Sequence, residues 1–142
     1  MSSLLERAVK IRQWRSDPSL FFKDVTGHEP FGYQRVLLEW AKDLLHSKLV
    51  IVGGTGGGKT YTLACIGLWS CICLPSELNT RVNVAIAAGS LAQSKRTYDY
   101  VMEFAMKQRI IRDWIKGEPL QSEIRFKDNS WIAPLPSSDT QL

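Results

Sequence analysis

A glycine-rich segment carries the strongest chemical signal in the sequence. Residues 53–60 read Gly-Gly-Thr-Gly-Gly-Gly-Lys-Thr and match the pattern G-x-x-x-x-G-K-[ST] at every fixed position. Glycines let the backbone curl so that successive N–H groups point at an anion, and a following helix adds its dipole and free N–H groups. The pattern predicts a loop that binds the phosphates of a nucleoside triphosphate. A simple turn between a strand and a helix would not require Gly-Lys-Thr at its end.

Each residue of this loop has a predicted role. Lys59 is expected to reach the β- and γ-phosphates, and it is our candidate catalytic residue. Thr60 is expected to place its hydroxyl on Mg²⁺. ATP and Mg²⁺ are therefore the predicted ligands. The full set of predicted phosphate-binding residues is Gly53, Gly54, Thr55, Gly56, Gly57, Gly58, Lys59 and Thr60.

A second candidate site lies about 20 residues upstream, at Phe31-Gly32-Tyr33-Gln34. The Gln34 amide offers one donor and one acceptor, which match the N6 and N7 edge of adenine. Tyr33 beside it is expected to stack on the base. The alternative is that Phe31 and Tyr33 are core residues and that Gln34 is a surface or capping amide.

The elements that must position these residues follow from hydrophobic periodicity. The pattern predicts an α/β domain with a parallel sheet. Its elements are expected to be strands at 48–52 and 81–88, helices at 4–15, 33–45, 58–73 and 90–108, and a β-hairpin at 123–133. Asp17-Pro18 is expected to break the first helix, with Pro18 opening a second helical turn, and residues 110–115 are expected to form a short helical continuation. Pro75 is expected to end the helix after the loop, and Ser90 to cap the next one. The helix that begins at Tyr33 is expected to be amphipathic, with an apolar face made of Val36, Leu37, Trp40, Ala41, Leu44 and Leu45. Core packing is the default for all five tryptophans.

Composition narrows the class of protein. The formal net charge of +4 is compatible with a polyanionic partner but is weak evidence for one. Basic pairs such as Lys95-Arg96 fit a solvated helix face better than a DNA track. Cys65, Cys71 and Cys73 stand in one apolar stretch and are expected to be buried and reduced. That stretch is shorter than the roughly 20 residues of a membrane span, and the N-terminus lacks a signal-peptide pattern, so we expect a cytoplasmic protein without a membrane partner.

Four segments together resemble the large terminase subunit of tailed DNA viruses. They are Phe31 to Gln34, the phosphate loop, Val84 to Ser90 with Gln93, and Ile124 to Ile132. The resemblance runs from about residue 18 to the C-terminus. It implies a RecA-like P-loop NTPase domain with a three-layer sheet flanked by helices. Residues 1–30 would then be a helical lead-in, and residues 31–142 part of the ATPase domain.

The resemblance also implies partners and a function. Large terminases are ATP-driven motors that pump DNA into a capsid through a portal. Double-stranded DNA, a small terminase subunit and the portal or procapsid are the implied partners. Ser90 and Gln93 would lie on a DNA-facing or coupling side, although an N-cap and an exposed helix position explain them equally well.

Three departures limit this assignment. The phosphate loop has no arginine, no nuclease domain follows, and no apolar strand ends in Asp-Glu to hold Mg²⁺ and orient water. Residues 110–113 come closest to an apolar strand that ends in an acidic residue, but this segment fits a helix. The chain is therefore expected to be an N-terminal portion of a motor whose sheet has an unpaired edge, with a tendency to self-associate. A helicase-type RecA-like fragment and a nucleotide-binding module without hydrolysis remain alternatives.

Overall fold

The computed structural model describes residues 3–43, 47–52 and 57–135. Residues 53–56 of the phosphate loop therefore lie outside the described part, as do residues 44–46 and 136–142. The described elements run in the order α1 (Leu4–Ser16), α2 (Pro18–Thr26), α3 (Tyr33–Lys42), β1 (Lys48–Val52), α4 (Gly57–Leu78), β2 (Asn83–Ala87), α5 (Leu91–Lys107), α6 (Arg109–Trp114), β3 (Ile124–Arg125) and β4 (Trp131–Pro134).

Local capping sets the first two helices. The Ser3 hydroxyl accepts a hydrogen bond from the Glu6 amide and begins α1. Asp17 ends α1 and caps α2, whose first residue, Pro18, has a backbone angle suited to a helix start. Gly27 ends α2 at a φ of 88°, a left-handed conformation that favours glycine. These signals are local, and the sequence therefore predicted the break between the two helices.

The four described strands form one mixed sheet in the order β1-β2-β4-β3. β1, β2 and β4 are parallel, and β3 is antiparallel to β4. The predicted hairpin is confirmed, with Asn129 at positive φ in its turn. The α/β class with a mostly parallel sheet is also confirmed. β2 lies in the middle, hydrogen-bonded to β1 on one side and to β4 on the other.

Both crossover helices lie on the same face of the sheet. The chain steps from β1 to β2 and from β2 to β4 in one direction, so right-handed crossovers put α4 and α5 on one side. Their mutual contacts and their contacts with the strands agree with this arrangement. On the other face Val50 is 61% exposed. Within the part of the chain that the structure describes, helices therefore cover one face, and the predicted helical layer on the second face is not found there.

Helix α4 forms the centre of the core. It packs on the strands from one side, while α1, α2 and α3 pack on it from the other. Every position from Ala64 to Leu74 is buried. A helix that is apolar on all sides is stable when it is enclosed in this way. The layers in the described residues are thus sheet, crossover helices and N-terminal helices.

The same helix corrects two expectations. Pro75 lies inside α4, which continues to Leu78 instead of ending before the proline. Its last turn is held because Leu74 is buried and Glu77 pairs with Arg15 of α1. The apolar segment is also long enough to cross a membrane by length and composition, contrary to the estimate from sequence. Two-thirds of its apolar window is buried inside the protein, which is consistent with the core helix of a soluble protein.

Helix α3 buries only part of the predicted apolar face: Ala41 is buried and Leu37 packs against the core, as predicted, while Leu44 and Leu45 lie outside the described residues. Leu38 and Ala41 are buried against the neighbouring helices α2 and α4, together with Gln34. Val36 and Trp40 are exposed, so their assignment to the buried face was wrong. The helix is apolar on two sides, and the sequence alone does not decide which side meets α4. Core packing is confirmed for Trp14 and Trp69, which are buried.

Candidate functional site

The carboxyl ends of the parallel strands bring the predicted site residues to one edge of the sheet. β1 ends at Val52 and is followed, after the undescribed residues, by α4 from Gly57. β2 ends at Ala87, and α5 begins directly after Ser90. In open α/β sheets, ligands bind at this edge, outside the carboxyl ends of the strands. The predicted strand before the phosphate loop and the predicted helix after it are both confirmed.

The first turn of α4 carries the described half of the phosphate loop. Gly57 and Gly58 are its first two residues, Lys59 is exposed, and Thr60 is buried and already has an interaction partner. An exposed lysine at a helix N-terminus is placed to add its charge to the helix dipole when an anion binds. The predicted roles of Gly53, Gly54, Thr55 and Gly56 fall on residues outside the described part.

Tyr61, the next residue, connects this turn to the segment upstream of α3. Its ring stacks on His28 with the ring centroids 5.8 Å apart and the planes 8° apart. It also meets Phe104 of α5 edge-on, at a centroid distance of 4.8 Å. Burial, with a smaller contribution from Glu103, raises the pKa of Tyr61. No sequence pattern indicates the cluster of Tyr61, His28 and Phe104, because its members are far apart in the chain and each is an ordinary aromatic residue.

The contact between Tyr61 of α4 and His28 holds the candidate base-binding segment, residues 31–34, close to α4. Gln34 is 4% exposed, and its side-chain Oε1 accepts a hydrogen bond from the Phe31 amide at 3.3 Å. Gln34 thus bonds the backbone just before α3, as a capping amide would, but the alternative explanation was wrong for Phe31, which is 67% exposed and not a core residue. Tyr33 is 48% exposed and is free to present its ring to a ligand. Contact between these residues and adenine stays a prediction.

Ser90 and Gln93 form the second helix start at this edge. The Ser90 hydroxyl accepts a hydrogen bond from the Gln93 amide at 3.2 Å, which confirms the predicted cap. One turn later, Ser94 donates a hydrogen bond to the carbonyl of Leu135, the residue after β4. The start of α5 is thereby fixed to the carboxyl end of β4. A DNA-facing role of Ser90 and Gln93 stays a prediction.

Acidic side chains are missing from the described part of this edge. Ala87 is followed by Ala88-Gly89-Ser90, and Pro134 by Leu135. Residues 110–113, the nearest imitation of an acidic strand end, lie in α6, and Asp113 pairs with Arg109 at 3.7 Å. Within residues 3–43, 47–52 and 57–135, no three His, Cys, Asp or Glu residues group as metal ligands. Of the predicted Mg²⁺ contacts, the described edge offers the Thr60 hydroxyl and no carboxylate.

The three cysteines behave as predicted. Cys65, Cys71 and Cys73 are buried and carry free thiols. Burial raises the pKa of each thiol, so none is activated as a nucleophile.

No protein-family model matches this chain, and no curated protein matches it.

Proposed function

We propose that this chain is an ATP-binding N-terminal portion of a viral DNA-packaging motor, the large terminase subunit. The observation that carries the proposal is the complete phosphate-loop pattern at residues 53–60, between a strand that ends at Val52 and a helix that begins at Gly57. The RecA-like P-loop fold, the partners and the cytoplasmic location belong to the same proposal. They rest on the resemblance of the four sequence segments.

The described residues support a binding mechanism. The N-terminus of α4 and the Lys59 ammonium would attract the triphosphate, and the Thr60 hydroxyl would contact Mg²⁺ bound with it. Mg²⁺ would neutralise charge on the phosphate oxygens when bound. The Tyr61–His28 stack holds the upstream turn beside α4. In this proposal the exposed ring of Tyr33 would contact the base of the nucleotide.

Nucleotide binding is tested by titrating Mg-ATP into the purified chain in a calorimeter. We expect saturable binding that Lys59→Ala abolishes, with the unfolding midpoint unchanged because Lys59 is exposed. Lys95→Ala, an exposed lysine on α5, is the matched control and should bind like the unaltered protein. Equal binding by the two variants would refute the phosphate-loop assignment.

A nucleotide-binding module without hydrolysis is the second candidate, and one observation favours it. Hydrolysis requires a group that orients the attacking water and a carboxylate that holds Mg²⁺. The described carboxyl edge of β2 and β4 offers no carboxylate. Phosphate release measured beside the binding titration distinguishes the candidates: binding without release supports the module, and release that Lys59→Ala abolishes supports the motor ATPase.

A helicase-type RecA-like fragment is distinguished by its dependence on DNA. Stimulation of phosphate release by DNA alone would support it. A requirement for portal or procapsid would support the packaging motor.

A further inference from the structure

A cleft far from the phosphate loop contains charged groups that the fold does not neutralise. Its volume is about 660 Å³, and it is lined by α1, the C-terminal end of α4 and the turn of the hairpin. Pro75 belongs to its wall. With a helical rise of about 1.5 Å per residue, Pro75 lies about 24 Å from Lys59 along α4. The cleft is therefore separate from the predicted nucleotide site.

Four arginines line this cleft: Arg7, Arg12, Arg15 and Arg81. Arg15 pairs with Glu77, which also lines the cleft. The other three form no ion pair with any residue in the described part of the chain. The second acidic residue in the wall, Asp128, accepts a hydrogen bond from the Ser130 amide at 2.9 Å. The lining thus has a net positive charge.

Two hydrogen-bond donors in the cleft wall are buried without a partner. The guanidinium of Arg7 lies over the ring of Trp114, 3.4 Å from its centroid. Arg7 Nε and Trp114 Nε1 are both buried, and neither has a hydrogen-bond partner among the described residues. Burial lowers the pKa of Arg7, while the charge of Asp128 acts in the opposite direction. A buried donor without an acceptor costs free energy. The Arg7 guanidinium also lines the cleft with a positive charge that an anion there would neutralise.

We propose that this cleft binds the phosphate groups of a polyanion. The planar guanidinium fork matches phosphate oxygens and forms paired, charge-assisted hydrogen bonds with them. Arg7 and Arg12 are separated by about 7.5 Å along α1, from the rise of about 1.5 Å per residue, so they can hold two groups of a chain. The cleft volume falls within the range of about 300–1,000 Å³ that small-molecule sites occupy. The polyanion is either a free polyphosphate compound or a nucleic-acid backbone.

The test uses proteins that all carry Lys59→Ala, so that the phosphate loop does not contribute to binding. The cleft variant adds Arg12→Ala and Arg81→Ala, and the control adds Lys95→Ala and Arg96→Ala. All four residues are exposed, and both pairs remove the same charge. The probes are tripolyphosphate, measured by calorimetry, and a labelled oligothymidylate, measured by anisotropy at low salt. We expect the cleft variant to lose about tenfold or more in affinity and the control less than about twofold.

A second comparison tests the local charge of the cleft. Glu77→Gln removes the carboxylate that pairs with Arg15. We expect this variant to bind tripolyphosphate or the oligonucleotide, whichever the protein binds, more tightly. Glu39→Gln on α3, where Glu39 pairs with Lys42 at 3.8 Å, is the matched control and should leave the affinity unchanged. Equal gains in the two variants would mean that net charge alone acts, which would overturn the cleft assignment.

The two probes identify the source of the phosphate. Binding of tripolyphosphate alone assigns the cleft to free phosphorylated compounds, whereas binding of the oligonucleotide assigns it to nucleic acid. Either result supports the proposal when the cleft variant loses binding of that probe and the control variant keeps it. Equal loss in the cleft and control variants, no binding by the Lys59→Ala protein, or tighter binding of polyglutamate than of either probe would overturn it. Because Lys59→Ala is present throughout, failure here leaves the proposed nucleotide site unaffected.

Discussion

A side chain on Gly67 of α4 would collide with Ile51 of β1. A Cβ atom at Gly67 would lie 2.6 Å from Ile51 Cδ1, and it would also lie 3.2 Å from Ile132 Cδ1. The missing side chain lets the helix after the phosphate loop approach the sheet closely. We expect Gly67→Ala to lower the free energy of unfolding by about 1 kcal/mol, because overpacking of about 1–3 kcal/mol exceeds the helix preference of alanine, worth about 1 kcal/mol. Urea unfolding measures the change.

A double-mutant cycle tests the cause of this loss. Ile51→Val removes the Cδ1 atom that the new methyl group would meet. We expect Gly67→Ala to cost at least about 0.5 kcal/mol less in the Ile51→Val protein than in the unaltered one. A gain in stability from Gly67→Ala alone would show that the helix tolerates the methyl group.

A buried hydroxyl links the hairpin to the start of β2. Val82 donates its amide hydrogen to Ser130 Oγ at 2.8 Å, and Ser130 is fully buried. Ser130→Ala leaves this amide without an acceptor, so we expect a loss of about 1–3 kcal/mol in the free energy of unfolding.

Ser76→Ala is the control for this substitution. The exposed Ser76 hydroxyl donates a hydrogen bond to the Cys73 carbonyl at 3.4 Å, and we expect a change of less than about 0.5 kcal/mol. Equal losses from the two substitutions would argue against the Val82–Ser130 hydrogen bond.

The half-exposed ring of Tyr33 provides a test of base recognition. Stacking of a base on an aromatic ring is worth about 1–3 kcal/mol, so Tyr33→Ala should weaken ATP binding about tenfold or more. Tyr33→Phe should retain the affinity. Trp40→Ala, on the exposed side of the same helix, should have no effect. Calorimetry with ATP and with tripolyphosphate shows whether the lost affinity depends on the base. A loss for both ligands would mean that Tyr33 does not contact the base.

The buried thiols make stability depend on pH in the alkaline range. Burial raises the pKa of Cys71 and Cys73 well above the ordinary value of 9.0. Above about pH 9 the unfolded thiols release protons that the folded thiols keep, so the folded state loses stability as pH rises. Each thiol contributes a slope of about 1.4 kcal/mol per pH unit, and its contribution is fully present below that range.

Urea unfolding at several values between about pH 8 and pH 10 measures this slope. Cys71→Ala should reduce the slope by the share of one thiol. Ser70→Ala, at the neighbouring buried position, should leave the slope unchanged. An unchanged slope in Cys71→Ala would mean that this thiol is accessible to ionisation in the folded protein.

Strand β1 is expected to cause self-association. In the described part of the chain it pairs with β2 alone, and Val50 on the uncovered sheet face is 61% exposed. Open apolar strands promote pairing between molecules, and lysine on such a strand prevents it. Sedimentation velocity should show association that increases with concentration and that Val50→Lys reduces.

Val9→Lys on α1 is the control, because Val9 is half-exposed on a helix. It adds the same charge and should leave the association unchanged. A monomer at all concentrations, or equal effects of the two lysines, would contradict a role for β1.

The sequence by itself determined the features that depend on neighbouring residues. The strand at 48–52, the helix start after the glycines, the cap at Ser90 and the hairpin turn each follow from local patterns, and the structure places them as predicted. The phosphate-loop hypothesis is of the same kind, since its residues are contiguous. Its ligand stays a prediction because residues 53–56 lie outside the described part.

Tertiary structure decided everything that depends on which surfaces meet. Helix α4 continues past Pro75 because α1 and the sheet enclose it, and α3 buries Leu38 instead of Val36 because that side meets its neighbouring helices. The Tyr61–His28 stack and the arginine cleft join residues that are distant in the chain. Periodicity shows that a helix has an apolar face, but packing geometry selects the partner that covers it, and long-range packing is not encoded in any single segment.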